Sequence, residues 1–587
     1  MGEISEACCS SSFDAETMRK NKVGIKRLFI TLSLLFSFIL GAPFLLKTIE
    51  IYRSPLPFSE IDTLSTSIES NPVWFPCSFQ AVYVGFDHTY TSANSNEIGF
   101  SIESQMREFA PSSGVCGACS DNFSVSVTID SASSCSRGLW KCGALDGLKL
   151  EKNAADLDNE VDEYLKAVLG TGEEKVYTVV VVNKDDENGV RAVVGKYRHA
   201  WIVGNFGKEE AEKRIAEIFM KVFVNGGRDE WTIPGEFMPV GADGKVVLSF
   251  NLLNADPRDW IYDWDLQEID QTLLAPIMKA LKVVADVSVE SQVLYHTPKS
   301  SLSHWDDQRK SQIFSIKDLP FFVNSYEWHL DTSTAAGGRS KILQFVVYVP
   351  SAKECPLSLQ LPDGEISATN GFISPMWGGV VVWNSPSCLQ GSDSSHAFRH
   401  KISHEEIRTI FETFVGQLRQ LFGLKSDEVY FGASGLTFLL ASDRGFSEWE
   451  LDVLSRQHTC FNLVQCGTTL GSLSRLVQSL PRMIITDEIG KQVKFSLEAA
   501  SLALSNASIG SFDAAAVSSR QARSLAEDAF YHPSMMSVSY YSFEHCFAVY
   551  SPFFLPVSLH VLLAVLREFK RYKQESKKYV AWLAKTK

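Results

Sequence analysis

Two long uncharged apolar stretches constrain this chain more than any other feature. The first, LFITLSLLFSFILGAPFLL, covers residues 28–46 and has 19 residues. The second, CFAVYSPFFLPVSLHVLLAVL, covers residues 546–566 and has 21. A helix needs about 20 consecutive apolar residues to cross the hydrocarbon core of a bilayer. We therefore predict a transmembrane helix near each end, with a large folded body between them.

Each stretch has an alternative interpretation. The first could be a cleaved signal peptide with a weak cleavage site at Gly41 and Ala42, although such peptides usually have a shorter apolar region of about 7–15 residues. The second could be a buried helix of a soluble domain. Prolines such as Pro552 and Pro556 are better tolerated in membrane helices, and a basic run follows the stretch. These observations favour uncleaved anchors at both ends.

Charged residues beside the two stretches predict the topology. Residues 1–27 carry five Lys or Arg and four Asp or Glu, and residues 567–587 carry eight Lys or Arg and two Glu. Because basic flanks stay on the cytoplasmic side, we expect both termini in the cytoplasm. The remainder of the chain carries a net charge of −21, against −14 for the whole. So acidic a body argues against a nucleic-acid partner.

Cysteines and sequons fit a body in the secretory lumen. Nine of the twelve cysteines lie between the apolar stretches, and the lumen favours disulfides. The sequons NFS and NAS make Asn122 and Asn506 candidate glycosylation sites. The candidate disulfide cysteines are Cys116, Cys119, Cys135, Cys142, Cys355, Cys388, Cys460 and Cys466. Nine is an odd number, so at least one thiol stays free or pairs outside the chain.

The spacing of the cysteines leaves their connectivity open. Cys116 and Cys119 form a C-x-x-C pair, which suits disulfides, redox exchange or half of a zinc site. The gap between Cys135 and Cys142 is too long for the usual zinc knuckle, so we expect disulfides there. Cys460 and Cys466 lie close enough in sequence to pair with each other. We expect no metal and no cofactor.

The body alternates between strand and helix patterns. VYTVVVVN at 176–183 is a continuous apolar run, typical of a strand covered on both faces. Helical spacing appears at 207–223 and at 263–284, and Ser403 with Glu406 forms a capping box before an amphipathic helix at 403–423. We predict a mixed α/β region, with a sheet covered by helices, at 47–445 and a helical region at 446–545, which leads back to the membrane.

The octet EWHLDTST at 327–334 brings His329, Asp331 and Ser333 close together in sequence. On an extended strand these three side chains would lie on one face, about 7 Å apart at each step. Members of a hydrolytic triad usually come from separate segments, and no G-x-S-x-G nucleophile elbow occurs. We interpret the octet as a strand with a polar face, and a catalytic triad is the alternative.

His560 is the ionisable residue within the second apolar stretch. An ionisable side chain in a membrane helix is a functional candidate by default. A histidine is nearly neutral at pH 7, however, and can hydrogen-bond a neighbouring helix. We expect His560 to pack against a partner helix.

The segments at 41–61, 287–296 and 367–384 carry motifs that together resemble those of the PIG-S family, a subunit of GPI transamidase. GAPFLLKTIEIYRSPLPFSEI at 41–61 is similar to that family's membrane-exit segment. VSVESQVLYH at 287–296 resembles its DSQ-aliphatic-LY strand, with Glu290 in place of Asp. SATNGFISPMWGGVVVWN at 367–384 resembles its ATN-x-F-x-SP-x-WGG stretch and is the most specific of the three. The order of short basic terminus, span, lumenal domain, span and tail also agrees.

The resemblance implies a non-catalytic scaffold in the endoplasmic reticulum membrane. GPI transamidase joins a preassembled GPI lipid to the new C-terminus of a proprotein. In that complex the catalytic Cys and His belong to the PIG-K subunit, and PIG-S works with PIG-K, PIG-T, PIG-U and a Gaa-type subunit. The resemblance therefore implies no catalytic, cofactor-binding or metal-binding residue in this chain. The alternative is a membrane-anchored lumenal hydrolase or thiol oxidoreductase, which would use the octet or the Cys116–Cys119 pair.

Overall fold

The computed structural model describes residues 14–586, except for 15, 49–52, 71–72, 87–94, 111–116, 120–122, 131–156, 170–174, 185–188, 206, 228–238, 242, 334–338, 390–398, 426–428, 433–434, 443, 481–482 and 537–542. The chain forms two units. The first comprises Met1–Pro55, Arg475–Gly490 and Tyr531–Lys587, and the second comprises Leu56–Ser474 and Lys491–Phe530.

The α-helices occur in three groups: before the sheets, between their strands, and in the last quarter of the chain. In chain order they are α1 (Lys26–Thr48), α2 (Phe58–Ser70), α3 (Ser95–Phe109), α4 (Asp158–Leu169), α5 (Lys208–Glu217), α6 (Leu266–Ile269), α7 (Ala275–Leu281), α8 (His404–Leu421), α9 (Glu448–Ser479), α10 (Asp487–Ser508), α11 (Phe512–Phe530), α12 (Pro533–Met536) and α13 (Phe543–Thr586).

The strands among the described residues all lie in the second unit. They are β1 (Ser78–Val84), β2 (Ser124–Asp130), β3 (Val176–Asn183), β4 (Arg191–Val194), β5 (His199–Gly204), β6 (Lys245–Asn254), β7 (Ile261–Asp263), β8 (Asp286–Tyr295), β9 (His304–Asp306), β10 (Ser311–Ser315), β11 (Lys341–Val349), β12 (Leu357–Gln360), β13 (Gly371–Ser374), β14 (Gly378–Val382), β15 (Arg399–Lys401), β16 (Val429–Gly432) and β17 (Gly435–Leu439).

The first large sheet has the strand order β16-β17-β4-β5-β3-β1-β2. Neighbouring strands from β5 to β2 are parallel, and β4 runs antiparallel to β5. Tyr177 and Val179 of β3 join a core cluster on one face of this sheet, whereas Val180 joins a second cluster with Leu165 of α4 on the other. The uninterrupted apolar run of β3 thus reflects burial on both faces.

The second large sheet has the order β13-β14-β11-β6-β8, and all neighbours except β13 and β14 are parallel. Phe250 and Phe345 stack with ring centroids 5.4 Å apart, and Phe411 of α8 packs on Phe250 at 4.9 Å. The opposite face carries Val346 and Tyr348 and is covered partly by the three-stranded sheet β12-β10-β9. A mixed α/β body followed by long helices therefore agrees with the predicted fold class.

Helix α8 begins as the sequence predicts. Ser403 Oγ accepts a hydrogen bond from the backbone N–H of Glu406, and the Glu406 carboxylate accepts from the Ser403 N–H at 3.2 Å. Its buried face contains Ile407, Phe411 and Phe414. The capping box satisfies backbone donors that the first helical turn leaves unpaired.

Two other predicted helices are not regular along their length. The helix expected at 207–223 consists of α5 followed by a π-helical segment, Ile218–Val224. The helix expected at 263–284 consists of α6, a π-helical segment at Asp270–Leu274 and then α7, with Pro276 at the start of α7. A proline has no N–H to donate, so it fits the first turn of a helix better than its interior.

The first unit contains the long apolar helices α1 and α13, which pack against each other. Among the described residues, the segment with the length and composition to cross a membrane is Ala548–Thr586 of α13. Helix α1 is 23 residues long and leaves apolar side chains such as Phe29 and Phe36 exposed. Arg53 Nη2 also donates to the Val477 carbonyl at 2.8 Å within this unit. The second membrane span remains a prediction.

Candidate functional site

Residues 327–333 of the octet EWHLDTST form an irregular segment, so the prediction of a strand there was wrong, and Thr334 lies outside the described residues. The buried Trp328 holds it in place, because its Nε1–H points toward the carbonyls of Pro298 at 3.0 Å and Thr297 at 3.2 Å. Asn324 starts a turn just before the octet, and its carbonyl accepts from the Trp328 N–H at 2.9 Å. A turn followed by a buried tryptophan replaces the extended pairing that the alternating sequence predicted.

The three polar side chains of the octet are not brought together as a triad. Ser333 contacts the Glu290 carboxylate of β8 through its hydroxyl, and its N–H donates to the same carboxylate at 2.9 Å. His329 and Asp331 are exposed, and their backbones are hydrogen-bonded, because the Asp331 N–H donates to the His329 carbonyl at 3.2 Å. Ser333 therefore anchors the segment to β8 through Glu290.

Cys119 forms a disulfide with Cys77, with their Cα atoms 5.6 Å apart. The redox alternative for the C-x-x-C pair required Cys119 to bond Cys116, so this pairing contradicts it. Cys77 was not among the candidates, because it lies 42 residues from its partner and no local pattern signals such a distance. Cys116, Cys135 and Cys142 lie outside the described residues.

Cys355 and Cys388 also form a disulfide, with a Cα–Cα distance of 5.6 Å. Cys355 precedes β12 and Cys388 follows β14. The bond therefore joins the end of the small sheet to the end of the second large sheet, and both cysteines were among the predicted disulfide candidates.

Cys460 and Cys466 do not pair with each other. Cys460 is buried and disulfide-bonded, whereas Cys466 is a buried free thiol. Burial raises the pKa of Cys466 to about 11, and its sulfur lies 3.3 Å from Ser496 Oγ. A thiol with so high a pKa is unreactive at neutral pH. Because Cys466 is a free thiol, the prediction that it forms a disulfide was wrong.

Of the two sequons, Asn506 lies in the last turn of α10. Its side chain is partly buried and its Nδ2 donates to Ser518 Oγ of α11 at 3.4 Å. Asn122 lies outside the described residues. Glycosylation at either position remains a prediction.

The family-like stretch 367–384 connects the small sheet to the second large sheet. The Asn370 side chain accepts from the Leu359 N–H at 2.8 Å and donates to the carbonyls of Leu357 at 2.8 Å and Val382 at 2.9 Å. Its backbone has a φ of +50°, which asparagine tolerates better than most residues. Asn370 thus bridges β12 and β14 from one position.

The two glycines that follow Trp377 are required by close packing. Gly378 has a φ of +148°, and a Cβ there would collide with the Gln344 carbonyl of β11. A Cβ on Gly379 would collide with the amide of Gln417, which crosses β14 from α8 and donates to the Val380 carbonyl at 3.1 Å. The specific residues of this stretch therefore have structural roles.

A buried charge network connects α9 to the segments around β3 and β5, and the sequence did not predict it. Asp452 of α9 is 1% exposed and accepts from Arg198 Nε at 2.6 Å and Lys175 Nζ at 2.8 Å. Burial would raise the pKa of Asp452, but the hydrogen bonds and charges of Arg198 and Lys175 outweigh it and lower the pKa. The network fastens α9 to the first large sheet, and no spacing in the sequence brings its members together.

The network continues through two fully buried side chains. Tyr177 points its hydroxyl at Asp452 at 3.3 Å and accepts from Arg456 Nη1 at 2.8 Å. Arg456 Nη2 also donates to the carbonyls of Phe223 at 3.0 Å and Val224 at 3.1 Å. Burial raises the pKa of the Tyr177 phenol. Two cations offset the charge of Asp452, and neutral oxygen acceptors hold Arg456, which is typical of a structural cluster.

The chemistry available to the described residues is accordingly limited. No group of three or more His, Cys, Asp or Glu side chains in the described part of the chain could hold a metal ion. His560 Nδ1 lies 2.8 Å from the Pro556 carbonyl, one helical turn earlier. Its ring is exposed on α13.

Large apolar side chains are exposed on two segments near the octet. The segments around Ser300 and Phe322 are hydrogen-bonded to each other. The Ser300 N–H donates to the Phe322 carbonyl at 3.3 Å, and Asn324 Nδ2 donates to the Pro298 carbonyl at 3.2 Å. Their large exposed side chains, which we call the aromatic patch, are Leu302 (86% exposed), Trp305 (50%), Phe321 (68%) and Tyr326 (88%). Such clusters commonly mark contact sites with other proteins.

Comparisons with known proteins agree along most of the chain. Residues 32–575 match the family described as phosphatidylinositol-glycan biosynthesis class S protein. The chain is 26% identical to the mouse GPI-anchor transamidase component PIGS over 567 residues, covering 92% of this chain and 94% of the mouse protein. It is 28% identical to the GPI transamidase component PIG-S homolog of Schizosaccharomyces pombe, covering 57% and 55% of the two chains.

Proposed function

The chain belongs to the PIG-S family, and from this membership we propose that it is a non-catalytic scaffold subunit of the endoplasmic-reticulum GPI transamidase. In that role it supports the transfer of a preassembled GPI anchor to the C-terminus of proproteins. The observation that carries the proposal is the family match over residues 32–575, which includes the whole sheet-containing body and most of both apolar stretches. The full-length likeness to a mouse transamidase component supports the same role.

The scaffold role has independent support in the described residues. The octet, Cys119 and the family-like stretch all contribute to packing, as the contacts of Ser333, Cys119 and Asn370 indicate. The aromatic patch offers a surface for another subunit. The partners we propose are the PIG-K catalytic subunit, PIG-T, PIG-U and a Gaa-type subunit.

We propose a two-pass topology with both termini in the cytoplasm and the body in the lumen. The packing of α1 against α13 and the ion pair between Arg19 and Glu575, 2.8 Å long, support it. These contacts bring the residues before α1 beside the residues that follow the apolar part of α13, as a two-pass arrangement requires.

The first test is purification of the tagged full-length protein in mild detergent, followed by mass spectrometry. Recovery of a cysteine-protease subunit together with multispanning subunits is the expected result. His329→Ala with Ser333→Ala serves as a variant in the same cells, and GPI attachment should persist with it. If GPI attachment fails while the complex still assembles, the hydrolase alternative is correct and the scaffold role is not.

A further inference from the structure

Exposed cations are concentrated just before the apolar segment of α1 and just after the apolar segment of α13. We call the set the juxtamembrane cation cluster. Its members are Lys20, Lys22, Lys26, Arg27, Arg567, Lys570, Lys573 and Lys577, which are all exposed. Within the part of the chain that the structure describes, none of these side chains forms an ion pair. Their charges are therefore available to a ligand.

The acidic side chains of the C-terminal tail are already neutralised. Glu568 pairs with Arg571 at 3.1 Å. Glu575 pairs with Arg19 at 2.8 Å and with Lys578 at 3.7 Å. These are the two glutamates of residues 567–587, so the cluster has no acid of its own tail left to offset it.

The two halves of the cluster lie side by side. The Arg19 N–H donates to the Lys578 carbonyl at 3.2 Å, which places residues 19–27 along the part of α13 that follows residue 566. Because α13 stays helical to Thr586, Lys570 and Lys573 lie about 5 and 9 Å beyond Arg567 along its axis. That range is comparable to the Debye length of about 8 Å at physiological ionic strength.

We propose that the juxtamembrane cation cluster binds the headgroups of anionic phospholipids in the cytoplasmic leaflet. This inference rests on the two-pass topology proposed above. Charge complementarity favours the lipid phosphate, because eight unpaired cations face a surface that carries negative charge. Continuity with the apolar segments favours lipid over an acidic protein, because the bilayer surface is always adjacent to the cations at the ends of two membrane helices.

The test measures which lipids remain around the full-length protein. Microsomes are dissolved with styrene–maleic acid copolymer, the tagged protein is purified with its native lipid, and the ratio of anionic to zwitterionic phospholipid is compared with that of the whole microsomes. Two variants change the same positions. One carries Lys22→Gln, Lys26→Gln, Lys570→Gln and Lys573→Gln, and the other carries arginine at all four. Both keep Arg27 and Arg567, the basic residues nearest the apolar segments.

The wild type and the arginine variant should enrich anionic lipid about twofold or more, since each basic residue near the surface attracts it, and the glutamine variant should lose the enrichment. Equal ratios in all three proteins would overturn the proposal, as would loss of an acidic protein from the glutamine variant without a change in lipid. Protease accessibility of terminal tags in sealed microsomes separates the causes. Protected tags would reject the topology itself, whereas accessible tags with no lipid enrichment would reject only the lipid site.

Discussion

Arg19 donates a hydrogen bond to the Glu575 carboxylate across 556 positions of sequence. The first residue precedes α1 and the second follows the apolar part of α13, so the contact joins the two ends of the first unit. Both side chains are about one-third exposed. A pair so exposed contributes on the order of 1 kcal/mol or less to stability. It is informative because it identifies which segments of the first unit are in contact.

A crosslink tests this contact. In a background with Cys8→Ser and Cys9→Ser, we expect a short bismaleimide crosslinker to join Arg19→Cys to Glu575→Cys in microsomes, because the native side chains touch and cysteines, which are shorter than arginine and glutamate, need a bridging reagent to span the same gap. Lys573→Cys paired with Arg19→Cys is the matched control, since residue 573 points about 160° away around the helix. Electrophoresis detects the crosslinked form. Equal crosslinking of both pairs would contradict the arrangement.

Removal of the central charge of the buried network should destabilise the second unit strongly. Asp452→Asn leaves Arg198 and Lys175 without the carboxylate they share, and loss of one partner of a buried pair costs about 3–5 kcal/mol. Asp513→Asn is the matched control, because Asp513 pairs with the same Lys175 but is 57% exposed, and its loss should cost about 0–1 kcal/mol. Resistance to proteolysis on heating measures both. Similar losses would show that burial does not govern this network.

Stability should fall with acidification because of His458. Burial lowers the pKa of this histidine from 6.5 to about 4, so the unfolded chain takes up a proton at a higher pH than the folded chain. The free energy of unfolding therefore decreases as the pH falls from 6.5 to about 4, by about 3 kcal/mol in total. The lowered pKa of Asp452 acts at still lower pH, below the ordinary value of 3.8.

Thermal midpoints between pH 7 and pH 4 measure this effect of His458. We expect a shallower dependence in His458→Gln, whatever its stability at neutral pH, because the variant has no imidazole to protonate. His329→Gln changes an exposed histidine and should follow the wild-type profile. A wild-type slope in His458→Gln would assign the pH dependence to other groups.

Loss of the aromatic patch should weaken assembly but not folding. We expect Phe321→Ser with Tyr326→Ser to leave the thermal midpoint nearly unchanged, because both side chains are mostly exposed. Aromatic residues at the centre of an interface cost about 2 kcal/mol or more when truncated, so co-purified subunits should fall at least tenfold. Phe431→Ser alters an aromatic side chain of β16 that is 74% exposed and should retain them. Undiminished recovery with the double variant would remove the patch as a contact site.

Elements that depend on near neighbours in sequence could be predicted. The capping box of α8 is formed between Ser403 and Glu406, three residues apart. The uniform apolar run of β3 indicated burial on both faces, and the apolar run near the C-terminus indicated a membrane helix in α13. In each case the determining interactions lie within a few turns or within one strand.

The octet and the cysteines were decided by distant contacts. Alternation at 327–334 indicated a strand, but Trp328 is held by carbonyls some 30 residues earlier and Ser333 by Glu290. Cys119 pairs with a cysteine 42 residues away, although another cysteine lies three residues from it. Such choices depend on which segments meet when the sheets form, and the local pattern does not contain that information.

Composition and short-range pattern by themselves determined the apolar helix at the C-terminus, the α/β class of the body and the helical region after it. The likeness to the PIG-S family came from the motifs of three segments and from the match along the chain. Only the tertiary structure decided that Lys175, Arg198 and Asp452 share a buried site, that Gly378 lies against Gln344, and that Arg19 meets Glu575. The physical reason is that hydrophobic periodicity and backbone capping are set by residues close together in sequence, whereas these ion pairs and close backbone contacts form only where folding brings remote segments within a few ångströms.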